Sequence, residues 1–213
     1  MPYAKKYFAN ILLLYSPLIL KLVEQVAELG LEFKMICPDH GVIWRTDPAK
    51  IINAYVEWSQ QKPKKKAVVV YDTMWHSTEL MACAIVNGLH QMGVEAQPMH
   101  LRNCHRSDIM TEIFDAKAVI IGSPTLNNGL FPTVADFLTY IKGLKPLNKI
   151  GAAFGSYGWS GESVKLINNE LKQMNFNLIN DGLKIQYIPD DAGLDECFKL
   201  GQKIAGAIVK ELN

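Results

Sequence analysis

The sequence predicts an α/β protein: an open sheet of five parallel strands with helices on both faces, preceded by a small α/β fragment. Three observations carry this. Ala67-Val68-Val69-Val70-Tyr71 and Ala118-Val119-Ile120-Ile121-Gly122 are continuous apolar runs rich in β-branched residues, as strands buried on both faces require. Strand-like and helix-like segments alternate regularly from residue 67 onward. Each helix-like segment repeats its apolar residues at about 3.6-residue spacing. Right-handed crossovers between parallel strands then place helices on both sheet faces.

The elements follow in order. After Ala67–Tyr71, a helix is expected from Ser77 to Met92, with Met81, Ile85 and Leu89 on one stripe and Gly93 as its C-cap. Val94 to His100 reads as the second strand and Ser107 to Phe114 as a short helix. Ala118 to Gly122 is the third strand, and the helix Thr133 to Ile141 after it is stopped by Gly143 and Pro146. Lys149 to Phe154 is the fourth strand. Ser160 is placed to cap a helix carrying Val164, Ile167, Leu171 and Met174. Leu183 to Ile188 is the fifth strand, and Phe198, Gly201, Ala205 and Ile208 mark the inner face of a closing helix.

Composition narrows the function. The chain has 213 residues, 49% of them hydrophobic, enough for a sizeable core. Its net charge of +1 argues against a dedicated nucleic-acid surface. The basic run Lys62-Pro63-Lys64-Lys65-Lys66 reads as a solvated linker (62–66) between residues 1–61 and 67–213. Four scattered cysteines without a C-x-x-C pair point to a reduced, intracellular protein without structural zinc, and Cys104-His105 near His100 reads as a loop after a strand. The opening Met1-Pro2-Tyr3-Ala4-Lys5-Lys6 lacks the pattern of a signal peptide, so none is expected here. The best apolar run, Ile11 to Leu14, falls short of the roughly 18 residues of a spanning helix. A cytoplasmic protein is expected.

In an open sheet of this kind, ligands bind beyond the carboxyl ends of the strands. Three loops lie there. The first, Asp72-Thr73-Met74-Trp75-His76-Ser77-Thr78, brings hydroxyls to the start of a helix without Lys or Arg; backbone N–H groups there can hold a phosphate. Neither G-x-x-x-x-G-K-[ST] nor G-x-G-x-x-G occurs, which excludes a P-loop and a Rossmann dinucleotide loop. The second, Ser123-Pro124-Thr125-Leu126-Asn127-Asn128-Gly129, allows backbone groups to face a planar ring. The third, Gly155-Ser156-Tyr157-Gly158-Trp159-Ser160-Gly161, adds close backbone approach and an aromatic face. Alone, they read as a Ser/Thr-rich N-cap, a plain turn and a Gly-rich turn. Together they suit FMN.

The wording Tyr71-Asp72-Thr73-Met74-Trp75, Gly122-Ser123-Pro124-Thr125 and Gly155-Ser156-Tyr157-Gly158-Trp159-Ser160-Gly161, in this order, resembles the flavodoxin-like domain of flavodiiron proteins (A-type flavoproteins). The resemblance covers essentially the whole chain and implies strand order 2-1-3-4-5. By it, residues 73–78 hold the FMN phosphate. Residues 123–129 and 155–161 flank the isoalloxazine, a backbone group of 123–129 meets flavin N5, and Trp75 and Trp159 are stacking candidates. The implied cofactor-binding set is Thr73, Met74, Trp75, His76, Ser77, Thr78, Ser123, Pro124, Thr125, Leu126, Asn127, Asn128, Gly129, Ser156, Tyr157, Gly158, Trp159 and Gly161, with no catalytic acid or base. The implied role is electron transfer from a rubredoxin-like or reductase donor to a diiron domain that reduces oxygen or nitric oxide, in a possible homodimer. A flavodoxin-fold NAD(P)H:quinone oxidoreductase and a cofactor-free interaction module are the alternatives.

Residues 1–61 contain a helix expected to start at Ser16-Pro17 and end at Gly30, then a short strand, Phe33 to Cys37. Pro38-Asp39-His40-Gly41-Val42-Ile43-Trp44-Arg45 is similar to the end of the metallo-β-lactamase-like domain of flavodiiron proteins, where the matching His is a diiron ligand. The family's H-x-E-x-D-H run is absent here. A dinuclear site needs several His and carboxylate ligands, so His40 is expected to be a turn histidine, binding iron only if the missing ligands are supplied.

Overall fold

The computed structural model describes residues 1–212. Its sheet runs in the order β2 (Glu95–His100), β1 (Lys64–Tyr71), β3 (Ala116–Gly122), β4 (Ile150–Tyr157) and β5 (Asn177–Leu178), with β6 (Leu183–Gln186) also pairing with β4. All of these pairings are parallel, as the buried β-branched runs require. The fifth strand expected at 183–188 is thus two short segments on one edge. The turn between them, Asn180–Gly182, lifts the chain off β4 where the Gly182 N–H bonds the Asn180 side chain.

Helices α4 (Ser77–Gln91) and α8 (Asp191–Leu212) cover one face. They pack so closely that a Cβ on Gly88 would stand 2.1 Å from the Phe198 carbonyl oxygen and one on Gly201 2.2 Å from that of Ile85. Helices α5 (Arg106–Asp115), α6 (Pro132–Leu144) and α7 (Ser163–Gln173) cover the other. Met81, Ile85 and Leu89, and Val164, Ile167, Leu171 and Met174, are buried as their spacing predicts. Helix α6 ends one residue past Gly143, at a left-handed Lys145 (φ +52°). Helix α7 starts at Ser163 behind Glu162. Ser160 is therefore not its cap and instead donates to the Glu162 carboxylate at 2.7 Å.

The N-terminal segment departs most from expectation. Helix α1 (Pro2–Tyr7), the turns Phe8–Leu12 and Leu13–Tyr15, and helix α2 (Ser16–Glu28) follow without interruption. The run Pro2–Glu28 is 27 residues long and, by length and composition, apolar enough to cross a membrane. This corrects the expectation based on Ile11–Leu14, because polar residues interrupt the sequence run without breaking the helix. Those residues face the sheet unit: Lys5 pairs with Asp115 at 2.8 Å, Lys6 with Asp108, and Asn10 donates to the Ser107 carbonyl at 3.0 Å. Between them Phe8, Ala9 and Leu13 enter the core beside α5 and α6. Ser16 is itself helical and donates to the Leu13 carbonyl at 2.6 Å rather than capping α2. The strand expected at 33–37 is a single antiparallel bridge, Ile36 to Trp44, since both arms remain exposed with no sheet to join. Helix α3 (Ala49–Ser59) packs Tyr55 and Trp58 around Phe8.

The basic run is also not a solvated linker throughout. Strand β1 begins at Lys64, and Lys66 is buried against Glu112 and Asp115, because pairing with β3 extends to Ala116. At the same end of the sheet, just before β4, burial pushes Lys149 down to about 7, while its ammonium nitrogen lies 3.0 and 2.6 Å from the carbonyls of Phe114 and Ala116.

Candidate functional site

Strands β1, β3 and β4 end side by side, so the loops that follow them rise together. Between them lies a cleft of about 570 Å³, within the range of small-molecule sites. Its walls come from Met74, Trp75 and Ser77 of the first loop, Pro124 to Asn128 of the second, and Ser156 to Ser160 of the third. Trp75 and Trp159 stand at its mouth, 83% and 87% exposed. Aromatic rings of that size left to solvent beside a cleft mark a surface made for contact.

Six further residues of the predicted set frame the cleft rather than line it. Thr78 is buried and lies 2.9 Å from the Ser156 hydroxyl, joining the first and third loops. Ser123 accepts from the Phe131 N–H at 3.0 Å, and its carbonyl takes the Ser163 hydroxyl at 3.0 Å. Gly129 closes a two-residue turn with Leu126, in which Asn127 and Asn128 are both left-handed (φ +49° and +59°), a conformation that asparagine tolerates. Gly161 adopts φ +75°, a backbone that favours glycine, and a Cβ there would press on the Tyr157 ring at 3.1 Å. His76 is exposed and left-handed, its Nδ1 lying 2.6 Å from the Glu79 carboxylate. Thr73 is the sixth.

The Thr125 N–H donates to the Ser156 carbonyl at 2.9 Å, so the second loop is tied to the third as the third is to the first. The loops are therefore set before any ligand arrives, which reduces the ordering that binding requires. Gly155 makes this possible: a Cβ there would lie 2.1 Å from the Ser123 carbonyl oxygen.

The floor under the first loop is a charged network that the sequence did not signal. Asp72, fully buried, accepts from the Thr73 N–H at 2.6 Å and the Arg102 Nε at 2.9 Å, and is met by His100 at 3.1 Å and by the Thr133 hydroxyl. Burial alone would raise the Asp72 pKa, but these hydrogen bonds, that of Arg102 first, hold it below the usual carboxylate range. Arg102 also donates to the Thr73 carbonyl. Nearby, burial and the Glu79 carboxylate push the Tyr71 hydroxyl well above its ordinary pKa.

This cradle fits a phosphate monoester. Helix α4 opens without a side-chain cap, so first-turn N–H groups face the loop without an intrahelical partner. The Thr73 hydroxyl is buried there with no hydrogen-bond partner, a rarity that a bound acceptor would resolve. Residues 72–78 include neither Lys nor Arg.

His40 lies apart, lining a separate apolar cavity of about 540 Å³ with its ring 5.7 Å from that of Tyr7. Among the described residues, no group of three His, Cys, Asp or Glu side chains is placed to hold a metal ion. The residues present do not fit a diiron centre.

The fold and cleft define a flavodoxin-type α/β protein, and the comparison with known families agrees: the Flavodoxin family model matches residues 69–201, and the chain belongs to that family. The likeness over its full length is to flavodiiron proteins. It is 45% identical over 209 residues to the nitric oxide reductase of Moorella thermoacetica, covering 98% of this chain and 52% of that protein. The solved rubredoxin oxygen:oxidoreductase of Desulfovibrio gigas superposes with a TM-score of 0.95 at 45% identity, again over 98% of this chain and 52% of that one. The flavodiiron protein of Giardia intestinalis gives 0.91 at 31% identity, over 97% and 51%. The chain thus spans about half the length of the relatives it matches.

Proposed function

We infer that the cleft binds FMN and that the chain relays electrons from a rubredoxin-like donor to a diiron domain that reduces oxygen or nitric oxide. The observation that carries this reading is the unpartnered Thr73 hydroxyl, buried in the loop that leads into the uncapped α4 and next in sequence to Met74, which lines a cleft flanked by aromatic rings. Thr73 to Thr78 take the phosphate through backbone N–H groups and hydroxyls. The second and third loops flank the ring, with Trp75 and Trp159 shielding it from water. When bound, the cofactor supplies the electron transfer, and the protein's part is to hold and orient it and to tune its potential. No acid or base on this chain is needed for that. Support for the donor and acceptor comes from the relatives, one of which is named for rubredoxin and others as flavodiiron proteins. Residues 1–61, as the remnant of a metallo-β-lactamase-like domain, belong on the acceptor side, and a cytoplasmic homodimer accords with the same family. His40 ligates iron only if a further set of ligands comes from outside this chain.

The test is a titration of the purified full chain with FMN and with riboflavin, followed by flavin absorbance and fluorescence. Binding of one FMN per chain is expected, with riboflavin held much more weakly for lack of the phosphate. A chain that binds neither, or binds both equally, overturns the reading.

A further inference from the structure

Strand β6 ends at Gln186, and the next residue does something unusual. Tyr187 adopts φ +61°, the left-handed region disfavoured for bulky side chains. Among the described non-glycine residues with positive φ, it is the one Phe, Tyr or Trp; the rest are Asn, Gln, His and Lys. Its backbone is fixed by a 2.8 Å hydrogen bond from its N–H to the Tyr157 carbonyl. The neighbouring Gln186 amide donates to the Gly158 carbonyl at 2.7 Å, so this segment braces the third loop.

Packing does not explain the tyrosine. Its side chain is 64% exposed and contributes to neither core cluster. It lines the cleft instead, its ring 4.0 Å from where a Cβ on Gly158 would lie. A left-handed backbone would suit glycine or asparagine better, so a strained, exposed aromatic over a cleft points to a contact that the free protein does not make.

We propose that Tyr187 is a fourth wall of the cleft that touches the flat ring of the bound flavin and selects for it, a role resting on the FMN reading above. The tyrosine ring gains contact with an aromatic partner beyond what burial of area alone gives. The contact is with the ring system, so it acts equally on flavins with and without a phosphate.

The experiment compares the full wild-type chain with Tyr187→Gly, Tyr187→Asn and Tyr187→Phe, measuring apoprotein thermal unfolding and the dissociation constants for FMN and riboflavin. Glycine and asparagine both accept the left-handed backbone, so the apoproteins are expected to melt at or above the wild-type temperature. Both variants should bind FMN and riboflavin more weakly by the same factor, roughly three- to tenfold, and Tyr187→Phe should match wild type. Unchanged affinities in the glycine and asparagine variants, a loss confined to FMN, or a drop in apoprotein melting temperature in both variants would overturn the assignment while leaving the FMN reading intact. A wild-type chain that binds neither flavin overturns both.

Discussion

Arg102 and Asp72 meet at 2.8 Å beneath the first loop, joining the segment after β2 to the end of β1. Because Arg102 also donates to the Thr73 carbonyl, one guanidinium both compensates a buried carboxylate and sets the backbone of the first loop, the proposed phosphate cradle. The depressed Asp72 pKa makes this pair a source of stability above the usual carboxylate pKa of about 3.9, lost as pH falls through the folded value. Arg102→Ala raises that folded value. The acid-unfolding midpoint should therefore move to higher pH, as read by circular dichroism. FMN affinity should fall while riboflavin affinity holds.

Thr73 separates binding from stability. Its hydroxyl has no partner in the free chain, so Thr73→Val should leave the melting temperature of the apoprotein unchanged or raise it slightly. The same change removes one hydrogen bond to the charged phosphate, worth about 1.5–3 kcal/mol, or roughly 10- to 150-fold in FMN affinity. Calorimetric titration decides it: FMN affinity within twofold of wild type would mean that the hydroxyl does not face the ester.

Much of this was legible in the sequence, and the exceptions share a cause. The runs at 67–71 and 118–122 announce buried parallel strands because local composition and burial on both faces say the same thing. The three loops could be read because each follows such a strand. What was missed depends on distant partners. Arg102 sits in an ordinary loop and matters only because folding brings it to Asp72, 30 residues earlier. Lys66 read as solvent-exposed because its neighbours are lysines, yet α5 delivers Glu112 and Asp115 to it. Tyr187 carries no sequence mark of a left-handed backbone, and the Ile36–Trp44 bridge replaced a strand because no edge was there to receive one.

Asp115 is a hub on the side of the sheet away from the cleft, within 2.8 Å of Lys5, 3.1 Å of Lys64 and 3.2 Å of Lys66. Burial works to raise its pKa, but the three lysines hold it well below the carboxylate range. Its contribution is present above pH about 3.9 and is lost as pH falls toward the folded value. Asp115→Asn leaves Lys66 buried with Glu112 alone, and should lower stability at pH 7 by about 2–3 kcal/mol, less than loss of a fully isolated pair. Urea unfolding at several pH values should show the gap between variant and wild type narrowing below pH about 4. A gap independent of pH would mean that packing, not charge, is what the substitution removes.

Phe8 decides whether residues 1–61 are part of the folded unit. It is fully buried, its ring 5.3 Å from that of Tyr55, 5.5 Å from that of Trp58 and 5.8 Å from that of Phe114, so it stitches the N-terminal run and α3 onto α5. Truncation of a buried phenylalanine removes its transfer free energy and leaves a void, together about 3–5 kcal/mol. If the segment and the sheet unfold as one, Phe8→Ala should shift the whole chemical-denaturation curve by that amount, with tryptophan fluorescence and far-ultraviolet circular dichroism still coincident. Trp44 and Trp58 report on the N-terminal segment, Trp75 and Trp159 on the cleft. Two separated transitions, the earlier one carrying the helix signal of α1 to α3 and the Trp44 and Trp58 fluorescence, would instead show a segment that lies on the sheet without sharing its cooperativity.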